Sequence, residues 1–167
     1  MKKHLAYLLF LLFFSCNNTE KEFFVINKNI QGYILVVFNG LDKSEKGHRA
    51  YTFLNNKIFF SDYNKKLGLT NTDVRLVGDG DSSEIPFILK GQISGIANSE
   101  LNKKYLILLG GFSSEDVKTN TNLSLNLYWV GELSKLNQND ANRVITILEH
   151  DATLSNLKDN SILSLIE

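Results

Sequence analysis

The feature that most constrains the fold is the run Gly-Tyr-Ile-Leu-Val-Val-Phe at residues 32–38. Its β-branched and aromatic side chains favour an extended strand over a helix. Both alternating sets of side chains are apolar, which predicts a strand that is buried on both faces or central in a sheet. The run therefore indicates a β-rich domain with a substantial core.

The rest of the chain alternates short apolar runs with polar, turn-rich stretches. Residues 123–130 alternate strictly, which predicts a half-buried strand with Trp129 on one face and Tyr128 on the other. The residues that share the face of Trp129 are Leu123, Leu125 and Leu127. Further strands are expected at residues 23–26, 50–53, 57–60, 74–77, 85–93 and 104–109. The pattern predicts a mainly β fold, a single antiparallel β-sandwich-like domain of seven to nine strands.

Several polar stretches predict turns between these strands. Asn55 and Asn56 tolerate positive φ, so they predict a hairpin between residues 50–53 and 57–60. Gly110 and Gly111 are expected to end the run 104–109. Two further polar stretches are interpreted as loops, at residues 78–84 and 113–122.

The C-terminal region predicts one or two helices packed late in the chain. Apolar side chains recur at helical spacing at Ala141, Val144, Ile145, Leu148 and Ala152. A helix is therefore expected over residues 139–151, with Asn139 or Asp140 as its N-cap and His150 in its last turn. A second short helix is expected over residues 160–166.

The N-terminus has the form of a bacterial export signal. Lys2 and Lys3 precede an uncharged apolar run of ten residues at 5–14, too short for a membrane-spanning helix of about 20 residues. The following Phe13-Phe14-Ser15-Cys16 resembles the lipobox of bacterial lipoproteins. The resemblance implies that the Cys16 thiol receives a diacylglyceryl group and that the chain is cut before Cys16. An ordinary cleaved signal and an uncleaved anchor or core helix remain alternatives.

Cysteine usage favours the lipid interpretation. Cys16 is the only cysteine in the chain, so it cannot form an internal disulfide, and lipidation would remove an exposed thiol. Two or more acyl chains give stable membrane attachment, whereas one gives little. The expected organisation is a signal peptide at residues 1–15, a lipidated tether at 16–22 and a β-rich globular domain at 23–167. The expected location is the bacterial cell envelope, with the outer membrane favoured.

Charge argues against nucleic acid as a partner. Loss of Lys2 and Lys3 lowers Lys plus Arg from 18 to 16 against 18 Asp plus Glu, a net charge of −2. Nucleic-acid binding depends on clustered positive charge, and a net charge of −2 gives it no electrostatic support. The membrane, through the lipid, and another envelope protein or a glycan are the expected partners.

Residues 24–60 resemble an uncharacterised family of bacterial secreted and lipoprotein-type domains. The resemblance rests on the strands at 24–26 and 32–38, on Gly47-His48-Arg49-Ala50-Tyr51 and on the strand at 57–60, with residues 128–131 as a late strand. It implies a small β-sandwich module and brings no known activity. The chain departs from the family at Asn27 and Leu54, where such domains usually carry proline.

The sequence contains no catalytic or metal-binding motif. After removal of the signal the histidines are His48 and His150, whereas zinc sites usually need three or four protein ligands. His48 beside Arg49 is interpreted as a surface pair, and His150 as part of a helix terminus. No Gly-x-Ser-x-Gly motif of a serine hydrolase is present. Cys16 cannot serve as a catalytic nucleophile while it carries lipid. We therefore expect no metal and no cofactor.

The remaining binding candidates are Asp79, Asp81 and Glu84, beside His48. The stretch 79–84 is rich in oxygen ligands and could hold calcium, but it lacks the glycine and the final acid of an EF-hand loop. A solvated turn is the favoured interpretation. The leading hypothesis is therefore a non-enzymatic binding or structural protein. The alternative is an envelope hydrolase or glycan-processing enzyme whose paired acids lie apart in sequence.

Overall fold

The computed structural model describes residues 21–38, 49–62, 72–78, 80–116 and 121–166. Within these residues the chain forms nine strands: β1 (Glu22–Asn27), β2 (Gly32–Phe38), β3 (Arg49–Phe53), β4 (Ile58–Ser61), β5 (Thr72–Gly78), β6 (Asp81–Glu84), β7 (Phe87–Leu89), β8 (Lys104–Asp116) and β9 (Thr121–Glu132). Three α-helices follow: α1 (Gln138–Asp151), α2 (Leu154–Lys158) and α3 (Leu163–Ile166). Short 3₁₀ helices occupy Lys90–Gly95, Asn98–Glu100 and Leu133–Lys135.

The strands form two sheets packed face to face. Sheet A has the order β3-β1-β5-β6, and sheet B has the order β4-β2-β9-β8-β7. The prediction of a mainly β, sandwich-like domain with C-terminal helices is confirmed, but the sheets are mixed and only part of the strand pairing is antiparallel as expected. In sheet A, β1 is parallel to both β3 and β5, and in sheet B, β2 is parallel to β4. The first five strands alternate between the sheets, and the pairs that they form with one another are parallel. Strand β9 pairs antiparallel with β2 and β8, and β6 pairs antiparallel with β5.

The chain changes sheets between β6 and β7 without a long loop. Ile85 still donates its N–H to the carbonyl of Val74 in sheet A, at 3.1 Å. Pro86 then accepts a hydrogen bond from Leu106 in sheet B, at 3.0 Å. Because proline has no N–H, it suits a position where one ladder ends and another begins. The expected single strand over residues 85–93 is therefore short, since a 3₁₀ helix begins at Lys90.

Strand β2 separates two hydrophobic cores. Its side chains Ile34, Val36 and Phe38 pack between the sheets, where Phe24 and Tyr51 of sheet A meet them. The alternate side chains of β2, Tyr33, Leu35 and Val37, pack on the opposite face of sheet B with the helices. Residues 33–38 are all buried, which confirms the prediction made from the apolar run.

Strand β9 also keeps the predicted alternation. Leu123, Leu125 and Leu127 are buried on the helix side of sheet B, and the partly buried Trp129 packs against the same core. Tyr128 points between the sheets and is almost completely buried. The two aromatic side chains therefore lie on opposite faces, as expected.

Three of the predicted turns differ in the structure. The hairpin at Asn55 and Asn56 is wrong, because β3 belongs to sheet A and β4 to sheet B, so the connection crosses between layers. Strand β8 continues through Gly110 to Asp116, with an irregularity in register between Leu108 and Gly110. The stretch 78–84 is not a simple loop, since β6 pairs antiparallel with β5.

The helices begin and end close to the predicted residues, with a different cap. The N-cap of α1 is Asn137, whose side chain accepts hydrogen bonds from the N–H groups of Asn139 and Asp140. An asparagine at this position satisfies N–H groups that have no partner within the helix. The predicted helix at residues 160–166 is shorter than expected, and α2 precedes it, capped by Thr153.

Candidate functional site

Most residues singled out from the sequence lie outside the part of the chain that the structure describes. Cys16, His48 and Asp79 lie outside the described residues. Asp81 and Glu84 lie on the exposed strand β6, at the edge of sheet A. In the described part of the chain, no group of three or more histidine, cysteine, aspartate or glutamate side chains is placed to hold a metal ion.

An open pocket lies where the chain passes from sheet A to sheet B, and we call it the switch pocket. Its volume is about 390 Å³. The described residues that line it are the apolar Val74, Ile85, Pro86 and Phe87 and the polar Thr72, Asp73 and Glu84. Small-ligand pockets combine an apolar wall with a few polar groups in this way. Of the two candidates that the structure describes, Asp81 and Glu84, Glu84 is part of this lining.

The polar side chains of the switch pocket are accessible to different extents. Asp73 and Glu84 are exposed, the latter with 79% of its side chain accessible, and Glu84 Oε1 lies 3.7 Å from Nη2 of Arg75. The Thr72 hydroxyl oxygen is buried and has no hydrogen-bond partner within the described residues. The pocket therefore offers accessible carboxylates at its rim, whereas the Thr72 hydroxyl is shielded from solvent.

A second polar group lies beside the pocket, between the sheets. Arg49, Glu22 and Thr72 occupy the same row across β3, β1 and β5. Glu22 and Arg49 are each only 5% exposed, and Arg49 Nη1 lies 3.7 Å from Glu22 Oε1. The hydroxyl of Tyr51 donates a hydrogen bond to the same oxygen at 3.0 Å. A buried carboxylate requires such partners, because desolvation of an isolated charge is costly.

The tyrosines of this interior are held in their neutral form. Burial, followed by the negative charge of Glu22, raises the pKa of Tyr51 above its usual value. Burial likewise raises the pKa of Tyr128, whose hydroxyl accepts a hydrogen bond from the Asn126 amide at 3.2 Å. These groups act as hydrogen-bond partners in the core and not as proton acceptors at neutral pH.

A third polar group joins sheet B to the helices. Tyr33 donates a hydrogen bond from its hydroxyl to Asp140 Oδ2 at 2.9 Å, and Nε and Nη2 of Arg143 contact Asp140 Oδ1 at 3.0 and 2.8 Å. Arg143 also donates to the carbonyl of Leu165 at 3.3 Å. Arg143, followed by Tyr33, lowers the pKa of Asp140, and burial raises the pKa of Tyr33. These hydrogen bonds connect α1 to strand β2 of sheet B, and α3 to α1.

The buried position of Arg49 and Glu22 was not predicted. Arg49 was expected at the surface beside His48, which is wrong, and Glu22 was assigned to the tether. A signal was present in the period of two, since Glu22 shares a face with Phe24, and Arg49 shares a face with Tyr51. In each strand the charged residue is the first one and follows a polar stretch, which predicts a position at the surface.

A solved structure is similar to this chain over most of its length. No protein-family model and no curated protein matches the chain. A crystal structure of a putative lipoprotein from Bacillus anthracis is similar with a TM-score of 0.47 and 13% sequence identity, covering 88% of this chain and 95% of that chain. Among the described residues, no helix is both long and apolar enough to cross a membrane.

Proposed function

We propose that this protein is a lipid-anchored protein of the bacterial cell envelope whose β domain binds a partner close to the membrane. The N-terminal charge, the ten-residue apolar run and the sole cysteine, Cys16, support the anchor. The outer membrane is the favoured location. The signal peptide is proposed to span residues 1–15.

The observation that carries the proposal is the short distance along the chain between Cys16 and the first buried strand. Residues 17–21 separate Cys16 from Glu22, which begins the inner strand β1 of sheet A. Six residue steps span at most about 20 Å when extended. A lipid on Cys16 would therefore hold the folded domain against the membrane surface, where an envelope partner could reach it.

A binding role fits the described surfaces better than catalysis does. A glycosidase needs two acids across a cleft, one of them in an environment that keeps it protonated. Asp73 and Glu84 are exposed at the rim of an open pocket, and Glu84 lies beside Arg75. Among the described residues the buried acid is Glu22, and it does not supply the pair, because it contacts Arg49 and Tyr51 in the core.

The anchor is tested by replacing the cysteine. Cys16→Ala should abolish incorporation of radiolabelled fatty acid and release the protein from the membrane fraction. Ser15→Ala is the matched control, because it keeps a small residue before the cysteine and should leave labelling intact. Continued labelling or membrane retention of the Cys16→Ala protein would refute the anchor.

The binding role is tested by assaying turnover. The full-length protein should leave envelope glycans and peptides unchanged on prolonged incubation. Turnover that disappears in the Asp73→Asn or Glu84→Gln protein would show that the domain is an enzyme and would overturn this part of the proposal.

A further inference from the structure

We propose that the switch pocket binds a primary ammonium group carried on an aliphatic stem, as in a lysine side chain of an envelope peptide. The proposal rests on the binding role proposed above, but it does not require lipid at Cys16. The pocket volume of about 390 Å³ lies within the range of small-ligand sites, about 300–1,000 Å³. The carboxylates and the apolar side chains of the lining indicate which class of ligand the pocket would bind.

The lining of the pocket is rich in hydrogen-bond acceptors. The carboxylates of Asp73 and Glu84 only accept hydrogen bonds when ionised. The N–H of Ile85 is already donated to the carbonyl of Val74, and Pro86 has no N–H. The two carboxylates repel an anion, so the lining favours a ligand that brings hydrogen-bond donors.

Charge favours a cation over a neutral donor. Glu84 is partly neutralised by Arg75 at 3.7 Å, whereas Asp73 has no ion-pair partner within the described residues. An ammonium group would supply both the charge that Asp73 lacks and the donors that the carboxylates need.

The apolar wall accounts for the aliphatic stem. Ile85, Pro86 and Phe87 stand beside the acids in the lining. Lysine-like side chains pack their methylene groups on apolar surface while the charged end stays polar. The ring of Phe87 adds a further attraction when a cation lies near its face.

The experiment is a titration of the isotopically labelled full-length protein in detergent micelles with Nα-acetyl-lysine methylamide. Amide signals of residues 72–74, Ile85 and Phe87 should shift together. The exposed carboxylates predict weak affinity, with a dissociation constant on the order of 1 mM. Asp73→Asn should weaken binding about two- to fivefold, and added salt should weaken it further.

The control is Asp81→Asn, an acid on strand β6 that is not part of the pocket lining. It should bind the lysine derivative as tightly as the unmodified protein. The proposal is overturned if the pocket amides do not shift, if Asp73→Asn binds equally well, or if N-acetylglucosamine shifts these amides and the amine does not. Failure of the anchor would appear only in the fatty-acid labelling.

Discussion

Tyr51 donates a hydrogen bond from its hydroxyl to Glu22 Oε1 across 3.0 Å, and both side chains lie inside the domain. Arg49 approaches the same oxygen at 3.7 Å. Alternate residues of β3 thus stabilise the charge at the first residue of β1. This contact joins the strand that follows the proposed tether to the core of the domain.

Removing the charge of Glu22 should destabilise the fold strongly. Glu22→Gln leaves Arg49 buried beside a neutral group, so we expect the free energy of unfolding to fall by about 3–5 kcal/mol. Tyr51→Phe removes one hydrogen bond and should cost less, about 1–3 kcal/mol. Urea unfolding followed by the fluorescence of Trp129, the single tryptophan, measures both changes.

Thr52 provides the control for this comparison, because it lies on β3 beside Tyr51 and its side chain is exposed. Thr52→Ala should change the free energy of unfolding by no more than about 0.5 kcal/mol. If Glu22→Gln cost no more than Thr52→Ala, the buried ion pair would have no structural role.

The fold should lose stability at alkaline pH. Burial raises the pKa values of Tyr33, Tyr51 and Tyr128 above the ordinary value of 10.0. Below pH 10 these groups are neutral in both states, so their contribution is complete. Above pH 10 the unfolded chain ionises while the folded protein resists, and stability falls as pH rises.

Thermal melts from pH 8 to pH 11.5 measure this loss, and absorbance at 295 nm reports tyrosinate. The melting temperature should fall above about pH 10. Ionisation of the three buried tyrosines should appear together with unfolding. Complete tyrosine titration near pH 10 in a protein that stays folded would contradict the prediction.

The N-cap of α1 should contribute measurably to stability. Asn137→Ala removes the acceptor for the N–H groups of Asn139 and Asp140 and should lower the free energy of unfolding by about 1 kcal/mol. Asn137→Asp retains an acceptor and should restore most of the stability. Chemical denaturation of the two proteins measures the difference, and equal losses would exclude a capping role.

The contact between α1 and sheet B should depend on Leu148. This side chain is fully buried in the core that the helices share with sheet B, so Leu148→Ala should cost about 2–5 kcal/mol. Thr146→Ala, on the exposed face of the same helix, should cost less than about 0.5 kcal/mol. Similar losses for the two substitutions in urea unfolding would argue against this packing.

Elements with a strong period could be predicted from the sequence. In β2 every side chain from Tyr33 to Phe38 is apolar, and in β9 the leucines alternate with smaller polar groups. In α1 the buried residues Ala141, Val144 and Leu148 follow helical spacing. Each of these patterns depends only on neighbours along the chain, so no knowledge of distant partners was needed.

Strand pairing could not be predicted in the same way. Asn55 and Asn56 have the chemistry of a hairpin turn, yet the strands they join pair with β1 and β2 in different sheets. The turn residues are compatible with either connection. The choice between them depends on the energy of packing the two sheets against each other. That energy comes from residues outside the stretch 54–57.

The candidate site could also be predicted only in part from the sequence. The acids of the stretch 79–84 were visible as possible ligands, but the pocket needs Thr72 and Asp73 from β5 beside Glu84 from β6. A proline at position 86 by itself indicates a strand start or a sheet edge, because proline cannot donate to a ladder. Only the folded chain made it the point at which one sheet passes into the next.

The mainly β character of the chain, the strand that is buried on both faces and the position of the main helix follow from side-chain periodicity along the chain. The tertiary structure decided that the sheets are mixed, that Glu22 and Arg49 meet in the core, and that the switch pocket exists. These features join residues far apart in the chain. Their energies arise only when burial removes the paired groups from water.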